Sequence, residues 1–117
     1  MTPLRVYVGW DSREDIAFQV ARQSLIRHSS IPVEVIPIKI NELVDSGLYT
    51  RGVDPLASTE FTYSRFLTPN LAGFAGWAIF CDCDMLFFGD IKDLLQYQDP
   101  KYAVCCVQHD YSPKDSV

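Results

Sequence analysis

Asp82 and Asp84 form a pair whose residue type and spacing suggest chemistry, and the pair follows a short apolar run. Side chains alternate along extended backbone, so both carboxylates point the same way and can converge on one divalent cation, directly or through water. Oxygen ligands from one short segment suit Mg2+ or Mn2+, with substrate phosphate and water filling the other positions. Asp-x-Asp is a common motif, and a solvated acidic turn is the alternative interpretation. The apolar residues 78–81 favour the metal site, because acids at the end of such a run need a ligand or solvent.

A second polar cluster, residues 9–13 with the sequence Gly-Trp-Asp-Ser-Arg, follows the first predicted strand. Gly9 would permit close approach of a base and ribose, and Asp11 would accept hydrogen bonds from them, although the sequence is not the Gly-x-Gly-x-x-Gly of dinucleotide binders. The alternative is a strand-to-helix turn in which Asp11 and Ser12 only cap the helix. Composition and spacing leave these two interpretations equally open.

Arg65, in the segment Tyr63-Ser64-Arg65, is the third candidate. On a helix packed near the end of the third strand, it could pair with Asp82 or Asp84, or contact a diphosphate. An exposed surface arginine is the alternative. His109 follows the last predicted strand beside Asp110 and is more typical of a loop residue than of a ligand.

The elements that must position these residues begin with a β-α-β unit. Residues 4–9 are predicted to form a buried strand, and the capping-box pattern Ser12-Arg13-Glu14-Asp15 starts a helix that ends near residues 28–30. The helix face expected to be buried comprises Ile16, Ala17, Val20, Ala21, Ser24 and Leu25. Residues 33–40 form a second strand, in which Pro37 predicts an edge position or a bulge.

The remaining chain continues the alternation of strands and helices. The pattern predicts a long loop over residues 41–58 with one helical turn at 42–44, a helix over 59–67 stopped by Thr68-Pro69, a strand at 77–81, a short helix at 91–97 and a strand at 102–108. We therefore expect an α/β sandwich with a largely parallel sheet. In such sheets ligands bind beyond the carboxyl ends of the strands, where two of the polar clusters fall.

The composition describes one small globular domain over residues 1–117. The net charge is −5, with 48% hydrophobic and 21% charged residues. Without a basic stripe, nucleic acid is not expected as a partner, and no apolar stretch is long enough for a transmembrane segment. The sequence opens without a signal-peptide pattern, which predicts a cytoplasmic protein. The four cysteines, at 81, 83, 105 and 106, lie in apolar runs, which favours buried reduced thiols over a zinc site.

Taken in order along the chain, these segments resemble the glycosyltransferases of the GT-A fold, most nearly family 8 and its lipopolysaccharide-biosynthesis-like relatives. Residues 6–11 resemble the nucleotide-binding first strand and loop of that family. Residues 61–67 resemble its Tyr-x-Arg helix, and residues 78–87 with Gly89-Asp90-Ile91 and Leu94 resemble its strand, metal motif and following helix. The resemblance implies a Rossmann-like GT-A sandwich, here its N-terminal, nucleotide-sugar-binding part, with truncation at the C-terminus.

The resemblance also implies a function and a set of site residues. It implies a metal-dependent transferase that moves a sugar from a nucleotide-diphosphate sugar, preferably a UDP-sugar, to a glycan or glycolipid acceptor, with retention of configuration. Asp82 and Asp84 would hold Mn2+ or Mg2+. The residues implied to line the donor site are Val8, Gly9, Asp11, Tyr63, Arg65, Asp82, Cys83 and Asp84.

Family members usually add a further metal ligand, commonly a His. They also have an acceptor-binding half downstream, and this sequence does not contain that half. Two alternatives stay open. One is a haloacid-dehalogenase-like phosphohydrolase with the first Asp as nucleophile, although that pattern wants Thr or Val where Leu86 stands. The other is a non-catalytic nucleotide-binding fragment, whose exposed apolar surface would promote self-association.

Overall fold

A three-stranded parallel sheet forms the centre of the molecule. The computed structural model describes residues 2–108, 110 and 112. Strand β1 (Leu4–Gly9) lies between β2 (Val33–Ile38) and β3 (Ala78–Cys81), and Val6 is opposite Val35 on one side and Ile79 on the other. The protein is therefore a small α/β domain with a parallel sheet, as the sequence predicts.

The central strand is the most deeply buried element of the sheet. Val6 and Val8 have no solvent exposure and pack with Phe18, Leu25 and Phe61 in the main core cluster. Val6, Tyr7 and Val8 are all buried, and valine and tyrosine suit a strand that is covered on both faces. Pro37 lies in β2, which occupies an edge of this sheet, so the predicted edge position is confirmed.

Helix α1 (Asp15–His28) connects β1 to β2, but its buried face differs from the predicted one. Ala21, Ser24 and Leu25 are buried as predicted, whereas Phe18 takes the place expected for Ile16 and Val20, both of which are exposed. Phe18 offers the larger apolar surface to the core, and its burial turns the face that carries Ile16 and Val20 outward.

The predicted capping box at the start of α1 does not form. Glu14 is the N-cap residue and no side chain caps the helix; Ser12 instead donates its backbone N–H and hydroxyl to Glu60. The distant Glu60 carboxylate thus accepts from the Ser12 backbone N–H, the donor that Asp15 would have bound in a local box.

Short elements fill the connection from β2 to β3. Helix α2 (Ile40–Asp45) extends the single predicted turn, and turns lead to a 3-10 helix (Ser64–Leu67) and helix α3 (Thr68–Leu71). The predicted helix over 59–67 is thus mostly wrong, and Thr68-Pro69 begins a helix where we expected one to stop. Proline fits there because the first turn of a helix needs no N–H donor from it.

The last part of the chain departs furthest from prediction. Residues Ile91–Tyr97 form the predicted helix as a 3-10 helix, with Asp90 as its cap. Residues 102–108 form no strand and are exposed along their whole length, so that strand prediction is wrong. Cys105 and Cys106 are exposed with them, whereas Cys83 is buried as predicted and Cys81 partly so. His109 lies outside the described residues.

Candidate functional site

The carboxyl ends of the three strands lie at one edge of the sheet, since the strands are parallel. The turn at residues 9–13 leaves β1 at this edge, and the acidic motif at 82–84 leaves β3 there. The fold thus brings both predicted polar clusters to the same side of the sheet, where ligands of open α/β sheets bind.

Asp11 is buried, with 1% of its surface exposed, and it joins two loops. Its carboxylate accepts hydrogen bonds from the backbone N–H, Nε and Nη2 of Arg13, the last at 2.6 Å, and from the backbone N–H of Glu60 at 3.2 Å. The paired Arg13 guanidinium holds the pKa of Asp11 well below its usual range. Both oxygens are engaged within the protein, so any hydrogen bond to ribose would compete with these contacts.

Val8 and Gly9 contribute backbone rather than side chains to this edge. Val8 is fully buried, and the space above Gly9 is taken by the ring of Phe61, where an added Cβ would lie 2.8 Å from Cε2. Gly9 therefore leaves room for the aromatic ring of Phe61, a side chain of the protein itself. Contact of either residue with a nucleotide remains a prediction.

Arg65 lies beside the acidic motif and pairs with Asp82, which is one of the interpretations that the sequence left open. Its Nη1 is 3.6 Å from Asp82 Oδ1, and its Nε donates to the backbone carbonyl of Phe61 at 3.2 Å. The guanidinium also lies over the rings of Phe61 and Phe80. These contacts fix Arg65 between the core and one of the two motif carboxylates.

The two motif carboxylates remain accessible while the residue between them is buried. The Asp82 side chain is 46% exposed and Asp84 is exposed, whereas Cys83 enters the core and donates its S–H to Glu14 at 3.6 Å. Burial, assisted by that hydrogen bond, raises the pKa of the Cys83 thiol to about 11. This alternation keeps both acids on the solvent side.

Two accessible carboxylates from one segment fit the donor chemistry of Mg2+ or Mn2+, which keep several waters or substrate oxygens. Among residues 2–108, 110 and 112, no group of three or more His, Cys, Asp or Glu side chains is arranged to hold a metal. The third metal ligand that the resemblance implies therefore has no candidate in the described part of the chain.

A cleft of about 440 Å³ lies beside the predicted site, and the sequence did not reveal it. It is lined by residues after β1 and β2 and by the loop before the 3-10 helix; the charged and aromatic members are Arg13, Tyr49, Arg51, Asp54, Glu60 and Tyr63. Tyr63, a predicted site residue, donates its hydroxyl to Asp54 at 2.6 Å, and the guanidinium of Arg51 lies 3.8 Å from the ring centre of Tyr63.

Arg51 and Asp54 escaped prediction because they belong to the aperiodic loop over residues 41–58. The length of that loop was the only sequence signal of a functional segment.

The fold and site together define a small α/β domain with a three-stranded parallel sheet and an accessible acidic pair at its carboxyl edge. The chain is similar to Protein CDI of Arabidopsis thaliana, with 54% identity over 114 residues that cover 97% of this chain and 44% of that protein. The chain thus spans less than half the length of this relative.

No family model and no solved structure matches the chain. Within the described residues, no helix has the length and apolar character needed to cross a membrane.

Proposed function

We propose that this domain binds the donor of a metal-dependent glycosyltransferase, a nucleotide-diphosphate sugar with UDP as the favoured carrier. The observation that carries the proposal is the accessible pair Asp82 and Asp84 at the carboxyl edge of the sheet, braced by Arg65. This finer assignment, a GT-A-type donor domain, rests on the sequence resemblance and on the placement of these residues.

The donor chemistry requires charge compensation at this edge. When the bond between sugar and diphosphate breaks, the leaving nucleoside diphosphate gains negative charge, and Mn2+ or Mg2+ bound to Asp82 and Asp84 would stabilise that charge as a Lewis acid. Arg65 would hold the Asp82 carboxylate in its orientation through the ion pair at 3.6 Å.

Hydrogen bonds within the protein hold other residues of the proposed site in place. Asp11 links the loop after β1 to Glu60, and Tyr63 links the loop at Asp54 to the 3-10 helix. Both links fix the walls of the cleft, which lowers the entropy lost when a ligand binds.

The acceptor site is a separate part of the proposal. Transfer to a glycan or glycolipid, with retention of configuration, needs residues that this chain, less than half as long as its relative, need not contain. We therefore propose donor binding for these residues and complete transfer only for a longer protein.

Calorimetric titration with UDP tests the proposal. We expect the wild-type chain to bind UDP in Mn2+, and the double variant Asp82→Asn with Asp84→Asn to lose the Mn2+-dependent part of the binding. Asp93→Asn is the matched control, because it removes a carboxylate from the exposed surface of the helix at Ile91–Tyr97. Equal Mn2+-dependent binding by the double variant and the control would refute the metal assignment.

A second assay separates the alternatives. Release of phosphate from p-nitrophenyl phosphate that depends on Asp82 would favour the phosphohydrolase. UDP binding that is unchanged by Mn2+ and by loss of both carboxylates would favour a non-catalytic nucleotide-binding fragment.

A further inference from the structure

The charged residues that line the cleft differ in how far the protein already uses them. Arg13 is paired with Asp11 and donates to the carbonyl of Ser58, and Glu60 accepts from Ser12. Asp54 accepts from the hydroxyl of Tyr63, and this hydrogen bond lowers the pKa of Asp54. Three of the four charged side chains of the cleft are therefore committed to holding its walls.

Arg51 is the fourth and is differently placed. Among the described residues, its guanidinium takes part in no hydrogen bond and no ion pair within 4.0 Å; it lies 3.8 Å from the ring centre of Tyr63, and its charge helps to lower the pKa of Asp54. An arginine has five N–H donors, and contact with an aromatic face uses none of them. The protein thus holds a cation at the cleft with its donors unused.

The contact with Tyr63 restricts the freedom of the Arg51 side chain before any ligand arrives. Tyr63 is itself fixed through its hydroxyl to Asp54, three residues after Arg51 in the same loop. A guanidinium held in place loses less entropy on binding, and its planar fork matches the paired oxygens of a phosphate. These features favour a phosphate group as the ligand of Arg51.

We infer that Arg51 is a phosphate-binding residue of this cleft, which donates hydrogen bonds directly to a nucleoside diphosphate without requiring a metal. The identity of the ligand rests on the proposed function, but the binding contact does not use Asp82 or Asp84.

The test is calorimetric titration of the whole chain in EDTA and again in Mn2+, with UDP, inorganic pyrophosphate and uridine as probes. Arg51→Ala and Arg51→Lys are compared with Arg27→Ala, which removes an equal charge from the exposed last turn of α1. Denaturation curves verify that each variant is folded.

We expect wild-type protein and Arg27→Ala to bind UDP and pyrophosphate in EDTA, and Arg51→Ala to bind both about tenfold or more weakly, since hydrogen bonds to charged groups are the stronger kind. Arg51→Lys should be intermediate, because it keeps the charge and loses the planar fork. Uridine binding should be the same in all variants.

The outcomes separate this inference from the proposed function. Binding of UDP in Mn2+ only, with none in EDTA, would overturn the role of Arg51 and leave the metal-dependent donor site standing. Arg51-dependent binding in EDTA with no gain from Mn2+ would support the role of Arg51 and refute the metal-dependent donor site. Equal loss of uridine and UDP in Arg51→Ala would assign Arg51 to the nucleoside and refute the phosphate contact.

Discussion

Arg65 Nη1 and Asp82 Oδ1 lie 3.6 Å apart, although 17 positions separate them in the chain. The same guanidinium contacts Phe61 and Phe80, so one side chain connects the candidate metal motif to the hydrophobic core. The pair is partly exposed, and we expect the ion pair itself to contribute less to stability than the other contacts of Arg65.

Arg65→Ala should therefore lower the free energy of unfolding by about 1–2 kcal/mol, because it removes a hydrogen bond to Phe61 and two cation-π contacts. Asp82→Asn should cost less than about 1 kcal/mol, since it removes only the ion pair. Urea denaturation measures both. A cost for Asp82→Asn as large as that for Arg65→Ala would mean that the ion pair dominates.

Replacement of Asp11 should remove a pH dependence of stability that the wild-type protein has. The pKa of Asp11 is lowered in the folded state below the usual 3.8, so its stabilising effect is complete above that value and disappears as pH falls toward the folded pKa. Asp11→Asn should cost about 1–3 kcal/mol at pH 7, and the difference from wild type should narrow as pH falls from 5 to 2. Denaturation curves across this range measure the difference, and a constant gap would contradict the assignment. Asp93→Asn, on the exposed surface, should change the free energy of unfolding little at pH 7.

Gly9→Ala should destabilise the domain by about 1–3 kcal/mol, because the new methyl group would overlap the ring of Phe61. Gly89→Ala is the matched control, since nothing lies within 4 Å of a Cβ added there. Thermal unfolding of the two variants provides the comparison. Equal melting temperatures would show that Phe61 can move away at little cost.

The four thiols should divide into two reactivity classes. Burial raises the pKa of Cys81 to about 12 and that of Cys83 to about 11, so both should react slowly with iodoacetamide at pH 8, where little thiolate forms. The exposed Cys105 and Cys106 should react first. Peptide mass spectrometry after timed alkylation assigns each site, and unfolding in guanidinium should remove the difference.

The exposed apolar segment at 102–108 should promote self-association. Val104 and Val107 are 72% and 78% exposed. Replacement of both by lysine should lower the apparent mass at high protein concentration in sedimentation experiments. An unchanged mass across concentrations for the wild-type chain would exclude association through this segment.

The strands were the most predictable part of the fold. Short apolar runs predicted strands at 4–9, 33–40 and 77–81, and the structure has them at Leu4–Gly9, Val33–Ile38 and Ala78–Cys81. Segment 102–108 carries the same local pattern and forms no strand, because a strand also requires a partner, which its own sequence does not specify.

Helix positions were predictable only as far as they depend on local sequence. The periodicity of α1 predicted its approximate extent, but Phe18 is buried in the core, whereas Ile16 and Val20 are exposed. Ser12 likewise bonds to Glu60, 48 positions away, in place of the local capping box. In each case the better partner was distant in sequence.

The sequence by itself determined the parallel α/β class and the motif Asp82-Cys83-Asp84; it limited Pro37 to an edge position or a bulge and offered Arg65 as one candidate partner of the motif. These depend on short patterns and on alternation along a strand. Only the tertiary structure decided that Asp11 is buried under Arg13, that Phe61 fills the space at Gly9 and that Arg51 lies over Tyr63 in a cleft. Such contacts join loops that carry no periodic signal, and they form only once the folded sheet brings those loops together.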